Sequence, residues 1–348
     1  NEEVIMRLII FALLGLLHVH ALAAITVDSI DALARAITRP NSHIIVEPGV
    51  YKLNYRLQIK ADNVTIAGAS GSPEDVVFRG NGMRPASENG GDEILIDVHA
   101  DDFPLTGVTL EQSANHLIQI RAELGADNFT LTNSILRDSY EQLLKVSASP
   151  NPDSPYSHNG KISNSRFSYS ATVGPNYYIG GIDAHRAKNW VVENNHFENI
   201  ASPSEHIAEH AIHFWRNSHN TIVRNNTIIN SDRGIGFGLG NVDNEHIGGI
   251  IENNIIFHNN KGHPYKDAGI VLESAKGTKV LNNTVLLRSG YPNAIEYRFG
   301  FTRNLEIRNN LVLGAIKQRN GASGTVAENA QLTLSDEKRS MWSTLLGK

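Results

Sequence analysis

The sequence predicts an all-β protein of a single domain, wound as a parallel β-helix. Turn-forming residues are abundant, with 29 glycines among 348 residues, and helix-forming runs are confined to the two ends. A phrase of two short alternating strands around an asparagine recurs at intervals of 27 to 31 residues. Because such a unit cannot bury its apolar face alone, successive units stack into a solenoid, with each strand parallel to its counterpart one turn earlier.

One asparagine marks each recurrence of the phrase. The markers are Asn133, Asn164, Asn194, Asn225, Asn253, Asn282 and Asn309. We expect the recurring asparagines to stack as a hydrogen-bonded ladder at a bend. Four Asn-x-Thr matches, at Asn63, Asn128, Asn225 and Asn282, are interpreted as ladder residues as well. Leucine-rich repeats have a similar period, but isoleucine, valine and phenylalanine occupy the positions where those repeats require leucine.

The two ends of the repeat region are expected to differ from its middle. Residues 28–37 follow a helical apolar period from an N-cap aspartate, Asp28, so we expect a short helix that covers the N-terminal end of the core. Earlier coils are expected at 63–68 and 105–113. The predicted layout is a signal peptide with an upstream extension over 1–23, an N-terminal cap over 24–40, the β-helix over 41–330 and a C-terminal tail or cap over 331–348.

The N-terminal residues indicate export. Met6 and Arg7 precede an apolar run of ten residues, and Ala21-Leu22-Ala23 fits a processing site of the small-x-small type. The run is shorter than the roughly 20 residues of a membrane-spanning helix. We therefore expect a secreted or periplasmic protein of a bacterial envelope, without a membrane anchor once the signal is cleaved.

Composition excludes several classes of function. The chain has 31 Lys+Arg against 36 Asp+Glu, a balance that argues against a nucleic-acid partner. It has no cysteine, so disulfides, thiol nucleophiles and cysteine-ligated metals are excluded. His206, Glu209 and His210 match the H-x-x-E-H zinc-protease pattern, but proline before them and a strand after them leave too little helix. No cofactor is predicted; Ca²⁺ bound by scattered carboxylates stays open, as does the oligomeric state.

One strand of each repeat carries an unusual outward face. We align these strands on their inward residues, Leu144, Ile182, Ile212, Ile235, Ile270, Ile295 and Ile316. Alternation then sends outward the pairs Lys145/Ser147, Asp183/His185, His213/Trp215, Gly236/Gly238, Val271/Glu273, Glu296/Arg298 and Lys317/Arg319. The two bare glycines would let a ligand approach the backbone. Seven coils at about 4.8 Å each span roughly 30 Å, which suits a chain-like ligand of several sugar units.

A short motif on this face carries a family resemblance. The segment Gly181-Ile182-Asp183-Ala184-His185 is similar to the Asp-Pro-His motif of the alginate C5-epimerases, and Lys145 lies one coil earlier, where those enzymes carry a catalytic lysine. Their tyrosine precedes the aspartate by three positions, where this chain has Gly180. Over residues 40–330 the sequence resembles the right-handed β-helix polysaccharide lyases and uronan C5-epimerases. The resemblance implies a right-handed helix and an anionic, uronic-acid-containing polysaccharide as substrate.

The chemistry of such a substrate suggests roles for these residues. Removing the proton on C5 of a uronic acid builds negative charge on its carboxylate, which cations must neutralise. We expect His185 to be the base, Asp183 its orienting neighbour, Lys145 and Arg298 the carboxylate partners and His213 a second proton-transfer group. Further substrate contacts are predicted at Tyr178, Arg186, Glu209, His210, Trp215, Arg216, Gly236, Gly238, Glu273, Glu296, Lys317 and Arg319.

Four functions are compatible with this face. Expulsion of the 4-linked sugar after deprotonation would make the protein a lyase, which is the preferred prediction, and reprotonation from the other side would make it a C5-epimerase. Glu273 and Glu296, or Asp183, could serve as the carboxyl pair of a glycoside hydrolase. A carbohydrate-binding or adhesive β-helix without catalysis is the fourth alternative. The polymer itself, and endo or exo action, are not determined by the sequence.

Overall fold

A computed structural model describes residues 23–89, 94–206 and 208–333 of the chain. Within them, 38 strands form four parallel sheets, here called A, B, C and D, which line the sides of a β-helix. Each turn of the helix passes through the sheets in the order A, B, C and, in the middle of the molecule, D. This confirms the all-β parallel β-helix predicted from the repeats.

Sheets A and B carry the two strands of the repeated phrase. Sheet A consists of Ile25–Val27, His43–Val46, Thr65–Gly68, Pro104–Thr106, Thr130–Thr132, Lys161–Ser163, Val191–Glu193, Ile222–Arg224, Ile250–Glu252, Lys279–Leu281, Leu305–Arg308 and Gly324–Ala327. Sheet B consists of Gly49–Lys52, Val76–Arg79, Thr109–Ser113, Ile135–Ser139, Arg166–Ser168, His196–Glu198, Thr227–Ile229, Ile255–His258, Thr284–Leu287, Leu311–Leu313 and Ala330–Leu332.

Sheets C and D complete each turn. Sheet C consists of Leu57–Ile59, Ile96–Val98, Ile118–Arg121, Gln142–Ser147, Gly180–His185, His210–Trp215, Arg233–Phe237, Ile270–Glu273, Asn293–Arg298 and Ala315–Arg319. Sheet D consists of Ser157–His158, Ala187–Lys188, Ser218–His219, His246–Ile247 and Ala275–Lys276. The helical segments of the described residues are Ile30–Ala36, Ala86–Asn89 and the short 3₁₀ turn Ala122–Leu124.

The core is a stack of identical layers. Ile182, Ile212, Ile235, Ile270 and Ile295 pair in direct register along sheet C, and all five are fully buried. This confirms the predicted inward alignment, and with it the outward positions of the residues between them. Aromatic residues stack in the same way, as where Phe167 and Phe197 lie 4.7 Å apart. Each layer therefore buries the apolar face of its neighbour.

The asparagine ladder exists, but the predicted markers do not form it. Most of its members are the asparagines that directly follow a marker in the sequence. The members of the ladder are Asn195, Asn226, Asn254, Asn283, Asn310 and Asn329, of which the first five are buried. In each of the first five, Nδ2 donates to Oδ1 of the next asparagine at 2.9–3.0 Å. The seven markers instead take left-handed backbone conformations, with φ between 45° and 58°, which asparagine tolerates better than most residues. The repeated Asn-Asn pair thus combines a turn residue with a ladder residue.

Two of the four Asn-x-Thr matches are ladder residues, and the other two are turn residues of the marker set. Asn63 and Asn128 belong to a second, exposed ladder, since Asn63 Nδ2 donates to Asn41 Oδ1 at 2.9 Å and Asn159 Nδ2 donates to Asn128 Oδ1 at 3.2 Å. Their interpretation as ladder residues is confirmed. Asn225 and Asn282 are left-handed turn residues of the marker set instead, so the prediction was wrong for these two.

The N-terminal helix is shorter than the predicted segment. Ile30–Ala36 begins after Ser29, whose hydroxyl oxygen accepts the Ala32 N–H at 3.4 Å. Ser29 is therefore the N-cap, and the assignment of Asp28 was wrong. Leu33 and Ala36 face the core, while the capping role of the helix stays a prediction. The predicted signal peptide lies outside the described residues apart from its last position, as does most of the predicted C-terminal tail. No described helix has the length and apolarity that a membrane crossing requires.

Candidate active site

Polar side chains occupy the outward positions of sheet C on several successive coils. Lys145, Asp183 and His213 occupy the same outward position on three successive coils, in direct register. The strip also continues toward the N-terminus through Gln119 and Asp97, which the sequence alignment did not include. The strands Ile96–Val98 and Ile118–Arg121 alternate in the same way, so this extension had a signal in the sequence.

Asp183 is the centre of a buried polar cluster. The Lys145 ammonium donates to its Oδ2, and Trp215 Nε1–H donates to its Oδ1 at 2.6 Å. Only about 1% of Asp183 is exposed. Burial opposes the charge of this carboxyl group, but Lys145 and His185 hold its pKa below the usual value. The carboxylate therefore fixes both the lysine and the indole.

His185 lies beside this pair as a neutral imidazole. Its Nε2 is 3.2 Å from Lys145 Nζ, and its ring meets the Trp215 ring edge-on, with centroids 4.5 Å apart. Burial lowers the pKa of His185 to about 3, with Lys145 adding to the effect and Asp183 opposing it. Because the imidazole is uncharged at neutral pH, one ring nitrogen keeps the lone pair that a base needs.

Tyr178 joins the cluster from the loop that precedes the strand Gly180–His185. Its hydroxyl lies 3.4 Å from Lys145 Nζ, and its main-chain N–H donates to Asn176 Oδ1 at 2.5 Å. Burial raises the pKa of Tyr178, so its hydroxyl stays protonated at neutral pH. The structure therefore brings a tyrosine to the cluster from a sequence position two residues before Gly180. Tyr177, its neighbour, is 55% exposed.

His213 is a buried ion-pair partner, which differs from its predicted role in proton transfer. Its Nδ1–H donates to Glu209 Oε2 at 3.2 Å, and its Nε2–H donates to the Gly238 carbonyl at 3.1 Å. Burial opposes the charge, but the Glu209 carboxylate raises the pKa of His213. Since both nitrogens are occupied and the residue is fully buried, His213 contributes positive charge behind the cluster rather than a proton to a ligand.

The two strip glycines make room for protein atoms, so the predicted ligand approach at the backbone was wrong. A Cβ on Gly236 would lie 2.5 Å from His210 Nε2. A Cβ on Gly238 would lie 1.8 Å from the Glu273 carbonyl oxygen, and this glycine has a φ of +75°. His210, itself 2% exposed, packs over Gly236 and closes the strip at this point.

Arg298 belongs to a separate, self-neutralised cluster about 20 Å along the sheet from Asp183. Its guanidinium donates to Glu296 at 2.5 Å, Glu273 at 2.9 Å and Asp267 at 3.2 Å. All three nitrogens are thus engaged by protein carboxylates, which contradicts its prediction as a substrate-carboxylate partner. The same contacts occupy Glu273 and Glu296, the carboxyl pair that a hydrolase would need.

The last coil of the strip adds two further cations. Arg319 Nη1 donates to Glu296 Oε2 at 2.9 Å, which gives this guanidinium a protein partner too. Lys317 follows Glu296 in the outward register, and both cationic residues are exposed. The structure therefore places them on the open face of the strip, away from the Asp183 cluster.

Comparison with known proteins identifies the fold family. The family model described as "Right handed beta helix region" matches residues 86–329. The chain belongs to this family. No curated protein matches its sequence.

Solved structures of this right-handed β-helix fold include carbohydrate-active enzymes. The alginate lyase from Paenibacillus sp. str. FPU-7 is 16% identical with a TM-score of 0.63, over 88% of this chain and 99% of that one. The catalytic unit of a GH87 α-1,3-glucanase from Streptomyces thermodiastaticus is 12% identical with a TM-score of 0.57, over 90% and 69%. The A-module of a mannuronan C-5 epimerase from Azotobacter vinelandii is 12% identical with a TM-score of 0.49, over 90% and 98%. At these identities, the similarity to the lyase and to the glucanase shows a shared fold.

A cavity of about 490 Å³ lies at the turns that follow two of these sheet C strands. Arg186 and Arg216, which directly follow His185 and Trp215 in the chain, line it, and the residues of the Asp183 cluster do not. Arg186 is turned away from Asp183, its predicted neighbour: its guanidinium donates to the Ser154 and Pro155 carbonyls and covers the Tyr156 ring. Arg216 is exposed and supplies positive charge at the cavity wall.

Two groups of described residues could hold a metal ion, with all potential ligand atoms of each group within 4.8 Å of one another. They are Glu209/His210/His213 and Asp232/His258/His263. In the first group Glu209 is already the ion-pair partner of His213. Neither group has the oxygen-rich shell that Ca²⁺ prefers, so neither fits the calcium ion that the sequence left open.

Proposed function

We propose that this chain is an exported polysaccharide lyase that cleaves an alginate-like, uronic-acid-containing polymer by β-elimination. The observation that carries the proposal is the convergence of a neutral histidine, an ammonium group and a protonated tyrosine around the Asp183 carboxylate. The cluster lies on the outward face of sheet C, and the turns that follow two of its strands line a cavity with an exposed arginine at its wall. These features suit an extended anionic chain better than a small neutral ligand.

In the proposed mechanism, His185 removes the proton from C5 of the uronic acid. The C5–H electron pair forms the C4–C5 double bond, the C4–O4 bond breaks, and the leaving sugar takes a proton at O4. Tyr178 donates that proton, because burial raises its pKa and keeps its hydroxyl protonated. Lys145 neutralises the charge that grows on the substrate carboxylate. The proton gained by His185 and the one lost by Tyr178 then return through solvent.

Asp183 and His213 position these groups and do not react. Asp183 holds Lys145 by ion pairing, and its Oδ1 lies 3.7 Å from His185 Nε2, where it offsets the charge of the imidazolium that forms. His213 and Glu209 form a buried ion pair behind the carboxylate. Trp215 keeps the ring of His185 in place through edge-on contact. Such preorganisation lowers the reorganisation that the transition state requires.

The test is incubation of the full chain with alginate, polygalacturonate, glucuronan and glycosaminoglycans, read by the ultraviolet absorbance of the unsaturated uronate that elimination creates. The proposal expects absorbance to rise with at least one polymer, and cleavage to be lost in a Lys145→Met variant. If no polymer gives unsaturated product, elimination is not the reaction.

A C5-epimerase is the second candidate, because the same cluster holds a neutral imidazole and a protonated tyrosine, both in contact with Lys145. If Tyr178 reprotonates C5 before O4 departs, the sugar is inverted without cleavage. Proton NMR in D₂O distinguishes the two reactions, since an epimerase exchanges the C5 hydrogen and leaves chain length unchanged. If neither signal appears and specific polymer binding remains, the protein is a carbohydrate-binding β-helix.

A further inference from the structure

A second buried cluster lies outside the candidate active site, at the corner between sheets B and C. Asp232 immediately precedes the sheet C strand Arg233–Phe237, and His258 ends the sheet B strand one coil later. His263 lies in the connection that follows this strand. All three residues are at most 2% exposed, so no bulk water reaches their polar atoms.

The three side chains point their polar atoms at one spot. His263 Nδ1 lies 3.1 Å from Asp232 Oδ1 and 3.2 Å from His258 Nε2. One ring nitrogen has either one hydrogen or one lone pair, so it can make a linear hydrogen bond to only one of these neighbours. An ion bound to all three atoms at zinc-ligand distances of roughly 2.0–2.1 Å would separate the ligands by about 3.3 Å. The observed separations fit this arrangement.

The charge of the cluster also requires a cation. Asp97, Asp183 and Asp267 are equally buried carboxylates, and each contacts an arginine or a lysine. Among the described residues, the ion pair of Asp232 is with His263, at 3.1 Å. A divalent ion would supply the missing positive charge.

The surroundings of the carboxylate resemble those of metal ligands. Its second oxygen, Asp232 Oδ2, accepts the Ser202 main-chain N–H at 2.6 Å. Ligating carboxylates are commonly held in this way by a hydrogen bond to the oxygen that does not face the metal. Two imidazoles and a carboxylate are a ligand set for zinc and for similar d-block cations.

We propose that Asp232, His258 and His263 bind one divalent transition-metal ion of the Zn²⁺ class. The ion ties the connection 259–269 to the preceding coil. Asp267, in that connection, contacts Arg233 and Arg298, so the metal stabilises a segment that spans three coils of sheet C. This structural role is independent of the reaction at the Asp183 cluster.

The test uses the full chain, freed of metal with a chelator and then dialysed against zinc. We expect one equivalent of zinc in the wild type, and a melting temperature that rises with zinc. Asp232→Asn keeps the size of the side chain, and His263→Gln removes one ligand; each should weaken zinc binding at least about tenfold. His246→Gln is the matched control, because it removes a fully buried histidine elsewhere in the fold and should leave zinc binding unchanged.

Cobalt provides a readout that needs no variant. Co²⁺ held by two imidazoles and a carboxylate gives visible d–d absorption, which zinc should displace stoichiometrically. The proposal is overturned if the chelated wild type shows no such bands. Equal zinc binding by the wild type, Asp232→Asn and His263→Gln would also overturn it, since the ion would then lie elsewhere.

Discussion

In the candidate site, Lys145 is positively charged and His185 is neutral. Lys145 is held as an ammonium by Asp183, and Tyr178 assists. His185 is kept neutral by burial and by that same ammonium. Without Asp183, the lysine would lose the partner that makes its charge stable in a buried position. The arrangement therefore holds a cation for the substrate carboxylate and a neutral base next to one another.

Replacement of the base tests this division of roles. His185→Ala should lower the rate of elimination by about 10²-fold or more, the usual scale for a general base. Folding should persist, because the inward neighbours of His185 on the strand remain. Initial rates on the polymer that the wild type cleaves, with circular dichroism as the check on folding, measure both. A rate near that of the wild type would remove His185 from the mechanism.

The adjacent tyrosines offer a matched pair of variants. Tyr178→Phe removes the hydroxyl that lies 3.4 Å from Lys145 and should lower kcat by about 10²-fold, with a smaller change in KM. Tyr177→Phe makes the same chemical change on an exposed ring and should leave both constants unchanged. Equal kinetics for the two variants would mean that Tyr178 is not the acid.

For single residues, the sequence predicted the sheet face on which a side chain lies better than it predicted the groups that the side chain contacts. Strand alternation placed Lys145, Asp183 and His185 on one face because side chains alternate with a period of two. Tyr178 comes from a loop without periodicity, so its approach to Lys145 could only be seen in the structure. The outward direction of Arg298 was also correct, but alternation carries no information about the three carboxylates that surround it.

At the scale of strands and turns, the asparagine ladder joins successive coils through side-chain amides. Asn254→Ala would leave the Asn226 amide and the Val223 carbonyl without their buried partners. Each unmade hydrogen bond of this kind costs about 1–3 kcal/mol. We expect the free energy of unfolding to fall by at least that amount in urea titrations.

The preceding residue supplies the control for this prediction. Asn253 is a turn residue with a φ of 55°, and glycine adopts such a conformation readily. Asn253→Gly should therefore change stability by only a few tenths of a kcal/mol. A larger loss in Asn253→Gly than in Asn254→Ala would show that the turn, and not the ladder, holds the coils together.

The contacts of Arg298 join strands of sheet C, which reverses what the sequence suggested for it. Arg298→Lys keeps the charge but loses the planar fork that reaches three carboxylates at once. We expect a clear drop in the urea midpoint, with turnover per folded molecule unchanged. If turnover falls while the urea midpoint is preserved, Arg298 acts on the substrate as the sequence analysis first held.

For the whole molecule, the stacked architecture explains both the reach of sequence analysis and its limit. Every coil repeats the same inward positions. The inward position of Ile182 therefore predicts that of Ile212 on the next coil, and the same holds for each later coil. The corners do not repeat: the connection that holds His263 has no equivalent in the pattern, and neither does the loop that holds Tyr178. The repeat therefore predicts the frame of the β-helix and the strand residues of the candidate site, whereas the residues that the irregular corners add to it are not predicted.

Buried histidines should make the whole fold sensitive to acid. Burial lowers the pKa of five histidines to about 3, namely His116, His185, His210, His246 and His258, whereas an unfolded histidine has a pKa of about 6.5. As the pH falls below about 6.5, the unfolded chain binds five protons that the folded chain does not, until the folded groups titrate near pH 3. Stability should therefore decrease on acidification, by about 1.4 kcal/mol per pH unit for each histidine.

His213 does not add to this slope. Its folded pKa is raised, so both states bind its proton below about pH 6.5 and its stabilisation is lost only as the pH rises through the folded pKa. The five neutral histidines alone predict a slope of about 7 kcal/mol per pH unit, measured as urea midpoints from about pH 6 downward. His246→Gln removes one of them and should reduce the slope by about a fifth. A urea midpoint that stays constant over this range would show that these histidines are protonated in the folded state, and His185 would then lack the lone pair that its role as the base requires.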